Sequence, residues 1–128
     1  MNSLYLSKTA RTPEIKLDPK QGVFEINGRS IPENSVDFYA SVMQWMDAYR
    51  QEPNSRTNFL VKLEYFNTSS SKCLIDILRK LEKIYTDGND VTLEWHYDVE
   101  DDDMRESGED FKEILKLPVK MVPFKDDE

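Results

Sequence analysis

FLVKLEYFNTSSSKCLIDILRKL, residues Phe59 to Leu81, changes its period in the middle, and that change decides the fold. Phe59, Val61, Leu63 and Tyr65 alternate with Leu60, Lys62, Glu64 and Phe66, so both faces carry apolar groups, the pattern of an interior strand. Beyond the polar run Asn67-Thr68-Ser69-Ser70-Ser71 the spacing becomes three and four: Leu74, Ile77, Leu78, Leu81, then Ile84 and Tyr85. That spacing puts one apolar stripe on a helix and leaves Arg79, Lys80, Glu82 and Lys83 to water. The hydroxyl run therefore stands where the helix starts.

A helix N-terminus leaves backbone N–H groups without partners, and Asn, Ser and Thr side chains accept from them. Capping accounts for one such residue, whereas four hydroxyls follow one another here. The same N–H groups and the helix dipole also favour a phosphate, so the residues alone support two readings, a cap and a phosphoacceptor.

The run Leu63-Glu64-Tyr65-Phe66-Asn67-Thr68-Ser69-Ser70-Ser71-Lys72 resembles the signature of the SiaC family of bacterial regulatory phosphoproteins, whose fold is similar to the SpoIIAA-like (STAS) anti-sigma-factor antagonists. Pro32-Glu33-Asn34-Ser35 and Leu93-Glu94-Trp95-His96-Tyr97-Asp98 fit the same family. The resemblance implies that Thr68 is phosphorylated, with Ser69 and Ser70 as reserve acceptors. It also implies a partner-binding segment of Tyr65, Asn67, Thr68, Ser69, Ser70, Ser71 and Lys72. A Ser/Thr kinase of the histidine-kinase-like ATPase type would add the phosphate and a PP2C-type phosphatase would remove it. The unmodified protein would bind and activate a diguanylate cyclase, controlling cyclic di-GMP and with it biofilm formation. In the STAS group an Asp-Ser-Ser-Gly motif takes this place. Asn67-Thr68 occupies the Asp-Ser position and the glycine is missing, which favours SiaC over the alternative, a STAS anti-sigma-factor antagonist in a partner-switching module.

Composition sets the frame. A chain of 128 residues predicts one domain over 1–128, with a flexible charged tail at 125–128. Hydrophobic residues at 38% with clear periodicity describe a globular chain. A formal charge of −8, from 17 basic and 25 acidic residues, repels phosphate backbones and anionic lipid, so neither nucleic acid nor membrane is an expected partner. No stretch has signal-peptide or membrane-spanning character, and the lone Cys73 fits a reducing compartment, so the expected location is the cytoplasm. There the sequon Asn67-Thr68-Ser69 carries no glycan.

Leu4 to Leu6 predicts a short first strand or arm. Ile15 and Leu17 form a strand that turns at Asp18-Pro19-Lys20-Gln21-Gly22 into Val23, Phe24 and Ile26, an N-terminal hairpin. Asn27-Gly28 predicts a tight turn before Arg29 to Ile31. Asn34 and Ser35 offer caps to a helix over Val36 to Tyr49, with Tyr39, Val42, Met43, Met46 and Tyr49 in its stripe, widened by Phe38 and Trp45. Trp45, Met46 and Tyr49 are assigned to the core rather than to a partner surface. A polar loop covers Gln51 to Asn58; Thr86 to Asp90 ends the next helix, and Val91 to Tyr97 returns as a parallel strand. A third helix is predicted over Met104 to Leu117, stopped by Pro118, with Val119, Met121 and Val122 as a closing strand or arm. The predicted class is a single α/β domain with a mixed sheet, an N-terminal hairpin and packed helices, as the STAS resemblance implies.

Other chemistry fares poorly. Asp98, Glu100, Asp102, Met104, Glu106 and Glu109 fit an EF-hand register, yet Asp103 stands where the loop needs Gly and a strand precedes it, so no metal site is predicted. Cys73 and His96 lack a third group to orient them and read as a packed thiol and a strand histidine. The four glycines are scattered, so no nucleotide loop, cofactor or catalytic residue is expected and the chain is not read as an enzyme.

Overall fold

A computed structural model describes residues 1–125; of the predicted tail at 125–128, all beyond Lys125 lies outside the described residues. The elements run β1 (Leu4–Leu6), β2 (Glu14–Asp18), β3 (Val23–Ser30), α1 (Ser35–Gln51), β4 (Arg56–Phe66), α2 (Thr68–Thr86), β5 (Asp90–Asp98), α3 (Asp102–Ile114) and β6 (Val119–Phe124). The six strands lie side by side in chain order. β1, β2 and β3 pair antiparallel, and β3, β4, β5 and β6 pair parallel, each parallel connection being made by one helix. The sheet is therefore mixed, as its hairpin and crossovers predict.

Register explains which face is covered. Leu17, Phe24, Phe59, Leu93 and Val119 stand opposite one another across five strands, with Ile15, Ile26, Val61, Trp95 and Met121 as the next row. These side chains join Tyr39, Val42, Met46 and Tyr49 of α1, Leu74, Ile77, Leu78, Leu81 and Ile84 of α2, and Met104 and Phe111 of α3 in one apolar cluster, whereas Tyr85, expected in the α2 stripe, is exposed at the end of the helix. The row between them reads Lys16, Glu25, Leu60, Glu94, Lys120 and faces away. β4 is interior in that it is hydrogen-bonded on both sides, but among the described residues only one face of the sheet carries helices, which makes two layers. Leu60 is half-buried and Lys62 and Glu64 are exposed, so its second apolar face is partial.

Two predicted details change. The turn at Asn27-Gly28 does not form: β3 runs on through both residues, Asn27 and Gly28 stay paired with Lys62 and Leu63 of β4, and the register shifts between Gly28 and Arg29 because β4 takes one extra residue, Glu64, as a bulge. Gly28 has φ +130°, a conformation that other residues adopt only with strain, so the glycine signal marks an irregularity that parallel pairing with β4 carries through. The third helix ends at Ile114 rather than Leu117. Leu115 turns extended, and both Leu115 and Leu117 are buried, so packing draws the chain out of the helix before Pro118 forbids it.

α1 buries Trp45, Met46 and Tyr49 as expected. Trp45 stacks on Tyr49 at 4.9 Å and donates its indole N–H to the Asn2 carbonyl, fastening the N-terminal arm. On α2, Leu74, Ile77, Leu78 and Leu81 have no exposure at all. Leu78→Ala should therefore lower unfolding free energy by about 2–5 kcal/mol in urea denaturation, through lost burial and the cavity left behind. A loss near zero would mean that this stripe is not core.

Candidate functional site

The parallel strands β3, β4 and β5 lead into α1, α2 and α3 at their C-terminal ends, so three helix N-termini stand along that end of the sheet. They differ in charge. Asn34 caps α1 by accepting from the Asp37 N–H, and Asp37 itself lies in the first turn. Asp101 caps α3 by accepting from the Met104 N–H, followed by Asp102 and Asp103. α2 is capped by neutral Asn67, and its first turn, Thr68-Ser69-Ser70-Ser71, holds no carboxylate. Its positive dipole end is thus left without a compensating anion.

Asn67 is fixed on three sides. Its N–H donates to the Ser30 carbonyl at 3.0 Å, its side-chain oxygen accepts from the Ser70 N–H at 2.9 Å, and its own carbonyl accepts from the Ser71 N–H at 3.0 Å. Asn67 thus does the capping, which leaves the cap itself to none of the hydroxyls that follow. Asn67→Ala should destabilise by about 1 kcal/mol in a denaturant titration, the usual loss for a polar N-cap. An unchanged midpoint would remove Asn67 as the device that fixes this helix start.

The hydroxyls are not equivalent. Thr68 is exposed and, among the described residues, its side chain makes no hydrogen bond. Ser69 is exposed as a residue, but its hydroxyl lies 2.7 Å from Ser35 Oγ of α1 and 3.2 Å from the Asn67 side-chain oxygen. Ser70 has no exposure; it donates to the Ser30 carbonyl at 3.1 Å and accepts from Ser30 Oγ at 2.7 Å. Ser30 Oγ in turn meets Tyr39 Oη at 2.6 Å. Burial pushes the Tyr39 phenol up to about 12, against a smaller opposing effect of its bond to Ser30, so it stays a neutral donor. Ser71 is half-buried, Lys72 is exposed, and Tyr65 keeps 52% of its surface at the end of β4. Ser70, expected on the partner surface and as a reserve acceptor, is placed inside the protein.

Ser30, Ser35 and Tyr39 are absent from the site expected on sequence grounds. Ser30 is brought to the hydroxyl run by the β3–β4 register, which sets it opposite Phe66. The sequence signals for them are of another kind: Ser35 belongs to the family-like Pro32-Glu33-Asn34-Ser35 stretch and reads as a cap, and Tyr39 reads as part of the α1 stripe.

The alternative chemistries are dispersed. Cys73 is buried on α2, and burial, then Asp76, raises its thiol pKa. His96 lies on the open face of the sheet, 2.9 Å from Glu94. Glu94 is held below the usual carboxylate range first by Asn58 and then by His96. Of the acidic run, Asp98 accepts from the Glu100 N–H in a turn and Asp101 caps α3. A cleft of about 810 Å³ beside it mixes Lys8, Lys62 and Lys125 with Glu64, Asp98 and Asp102. Among the described residues no three metal-ligating side chains gather, and no helix is long and apolar enough to cross a membrane.

Fold and site together define an α/β protein that presents a hydroxyl run at an uncompensated helix N-terminus, at the C-terminal end of the parallel strands. Residues 6–124 match the model of the SiaC family regulatory phosphoproteins, and the chain belongs to that family. It is 34% identical over 118 residues to an uncharacterised protein of Pseudomonas aeruginosa, covering 92% of this chain and 94% of that one. Crystal structures of P. aeruginosa proteins agree. Apo-SiaC matches with a TM-score of 0.86 at 33% identity over 95% of this chain and 99% of that one. The SiaC complex with the diguanylate cyclase SiaD, of which SiaC is the activator, matches with a TM-score of 0.86 at 33% identity over 94% and 99%.

Proposed function

We propose that this chain is a phosphorylation-switched activator whose unmodified form binds and activates a diguanylate cyclase in the cytoplasm. Thr68 is phosphorylated by a Ser/Thr kinase of the histidine-kinase-like ATPase type and dephosphorylated by a PP2C-type phosphatase. The observation that carries this reading is the exposed, unengaged Thr68 hydroxyl at the head of the one helix, among the three described, whose first turn lacks a carboxylate. Activation of SiaD by SiaC in P. aeruginosa supports the choice of partner. Tyr65, Asn67, Thr68, Ser69, Ser71 and Lys72 form the contact surface, while buried Ser70 supports it from below.

A phosphate adds roughly 1.5–2 negative charges, which orphan N–H groups and the dipole accommodate, so modification leaves the fold intact and changes the surface. The test mixes the purified chain with the diguanylate cyclase of its own cell and follows cyclic di-GMP synthesis before and after treatment with kinase and ATP. Activation that is lost on phosphorylation at Thr68 and regained with phosphatase is expected. Activation indifferent to the phosphate would overturn the switch, and absence of activation would overturn the partner.

A further inference from the structure

We propose that Ser35, on α1, determines which hydroxyl of the α2 run accepts the phosphate, by holding Ser69 in a hydrogen-bonded ladder and leaving Thr68 as the acceptor. This rests on the reading of the α2 start as a phosphoacceptor. The choice is a real one for a kinase, since Thr68, Ser69, Ser70 and Ser71 are consecutive hydroxyls on one helical turn.

In the transfer, the acceptor oxygen attacks the γ-phosphorus of a nucleoside triphosphate and forms an O–P bond. The bond from that phosphorus to the bridging oxygen breaks, its electron pair leaves with the diphosphate, and the hydroxyl proton passes to a base on the kinase. The acceptor must therefore turn a lone pair toward phosphorus and its proton toward the base. Ser69 donates its proton to the Asn67 side-chain oxygen, so the 2.7 Å contact with Ser35 is made by the Ser35 hydroxyl donating to Ser69 Oγ. Its proton and one of its two lone pairs are committed, and the remaining lone pair is held in the direction that the bonds to Ser35 and Asn67 set, until the side chain rotates out of two hydrogen bonds. At about 1 kcal/mol net each, the rotated form is about 30-fold less populated.

Ser70 is excluded differently, by complete burial and by its bonds to Ser30. Ser71 is half-buried and recessed by about 4.5 Å along the axis from Thr68. Thr68 meets none of these obstacles. Two residues that no capping rule connects, Ser35 and Ser69, thus act across two helices as a selector, and Ser35 is a positioning residue.

The experiment phosphorylates the full chain with its kinase and ATP and maps the phosphopeptide in four backgrounds: unaltered, Thr68→Ala, Thr68→Ala with Ser35→Ala, and Thr68→Ala with Ser30→Ala. The unaltered chain should carry phosphate on Thr68, and Thr68→Ala should be modified about 30-fold more slowly. Adding Ser35→Ala should speed modification about fivefold, the share of one hydrogen bond, and place the phosphate on Ser69. Adding Ser30→Ala should leave Ser70 unmodified, because it stays buried.

Ser35→Cys, which keeps the volume and weakens the bond, should shift the site in the same direction and provides a second arm if Ser35→Ala lowers the melting temperature. Phosphate on Ser69 of Thr68→Ala at the unaltered rate, with Ser35 in place, would overturn the proposal. So would a Ser69 left unmodified by both Ser35 variants. No phosphate on any of the four hydroxyls in any background would instead defeat the phosphoacceptor reading beneath it.

Discussion

Trp95→Ala is expected to lower the free energy of unfolding by about 3–5 kcal/mol, the largest loss of stability for a single truncation in this core. The indole has no exposure and is the contact on which α3 is seated. Its N–H donates to the Met104 carbonyl at 2.9 Å, Phe111 meets its ring edge-on at 5.2 Å and 68°, and Phe66 does so at 6.2 Å and 86°. Truncation removes all three contacts and leaves a cavity between sheet and helix. The fit is tight from the other side too: a methyl placed on Gly108 would lie 2.3 Å from Trp95 Cδ1. The Met121 ε-methyl, at 2.7 Å, can swing away, but the hydrogen-bonded ring cannot, so Gly108→Ala should cost about 1–3 kcal/mol despite the better helix propensity of alanine. Urea titration followed by near-ultraviolet circular dichroism reads both variants. A stable Gly108→Ala protein with an unchanged tryptophan signal would show that α3 has slack.

On the function proposed above, Thr68→Asp should weaken binding to a diguanylate cyclase at least about tenfold, about 1.4 kcal/mol, while the melting temperature stays level or rises slightly. The two effects separate because they act on different surroundings. Within the fold, the new carboxylate sits in a first turn that has none and gains about 0.3–1 kcal/mol from the dipole. In the proposed interface the same charge would have to be desolvated against a surface matched to a neutral hydroxyl. Thr68→Ala should keep the binding form permanently. Aspartate has one charge and two oxygens, so it imitates phosphate only in part. Titration calorimetry beside a melting curve decides: binding equal to that of the unaltered chain would place Thr68 outside the interface, and a collapsed melting temperature would make any loss of binding a folding effect.

What could be read from residues alone followed the range of the forces involved. The α2 stripe is legible because burial acts at helical spacing within a few turns, and Leu74, Ile77, Leu78 and Leu81 are all in the core. The hairpin is legible because Asp18 folds its own turn, accepting from the Lys20 and Gln21 N–H groups. Asn27-Gly28 misleads because its outcome depends on β4, about 35 residues later in the chain, whose pairing holds the strand straight through the glycine. Leu115 and Leu117 misjudge the end of α3 for a similar reason, since their pull toward the core overrides local helix preference. At the site, the cap and the hydroxyl run are local and legible. Ser30, Ser35 and Tyr39 are not, because Ser30 reaches Ser70, Ser35 reaches Ser69 and Tyr39 reaches Ser30 only once β3 and β4 have paired and α1 has been laid beside α2.

The strand order carries a consequence for how the chain assembles. Because spatial order repeats chain order, no strand has to be inserted between two that are already paired. In a chain made N-terminus first, the hairpin strands are available before β4, and each later strand pairs at the side of those already made rather than between them. The sheet grows in one direction, and its exposed growing edge is always the strand most recently made. Synthesis and folding can therefore proceed in the same sequence, and the apolar stripe of α2 meets a prepared surface as soon as β4 and α2 have left the exit tunnel.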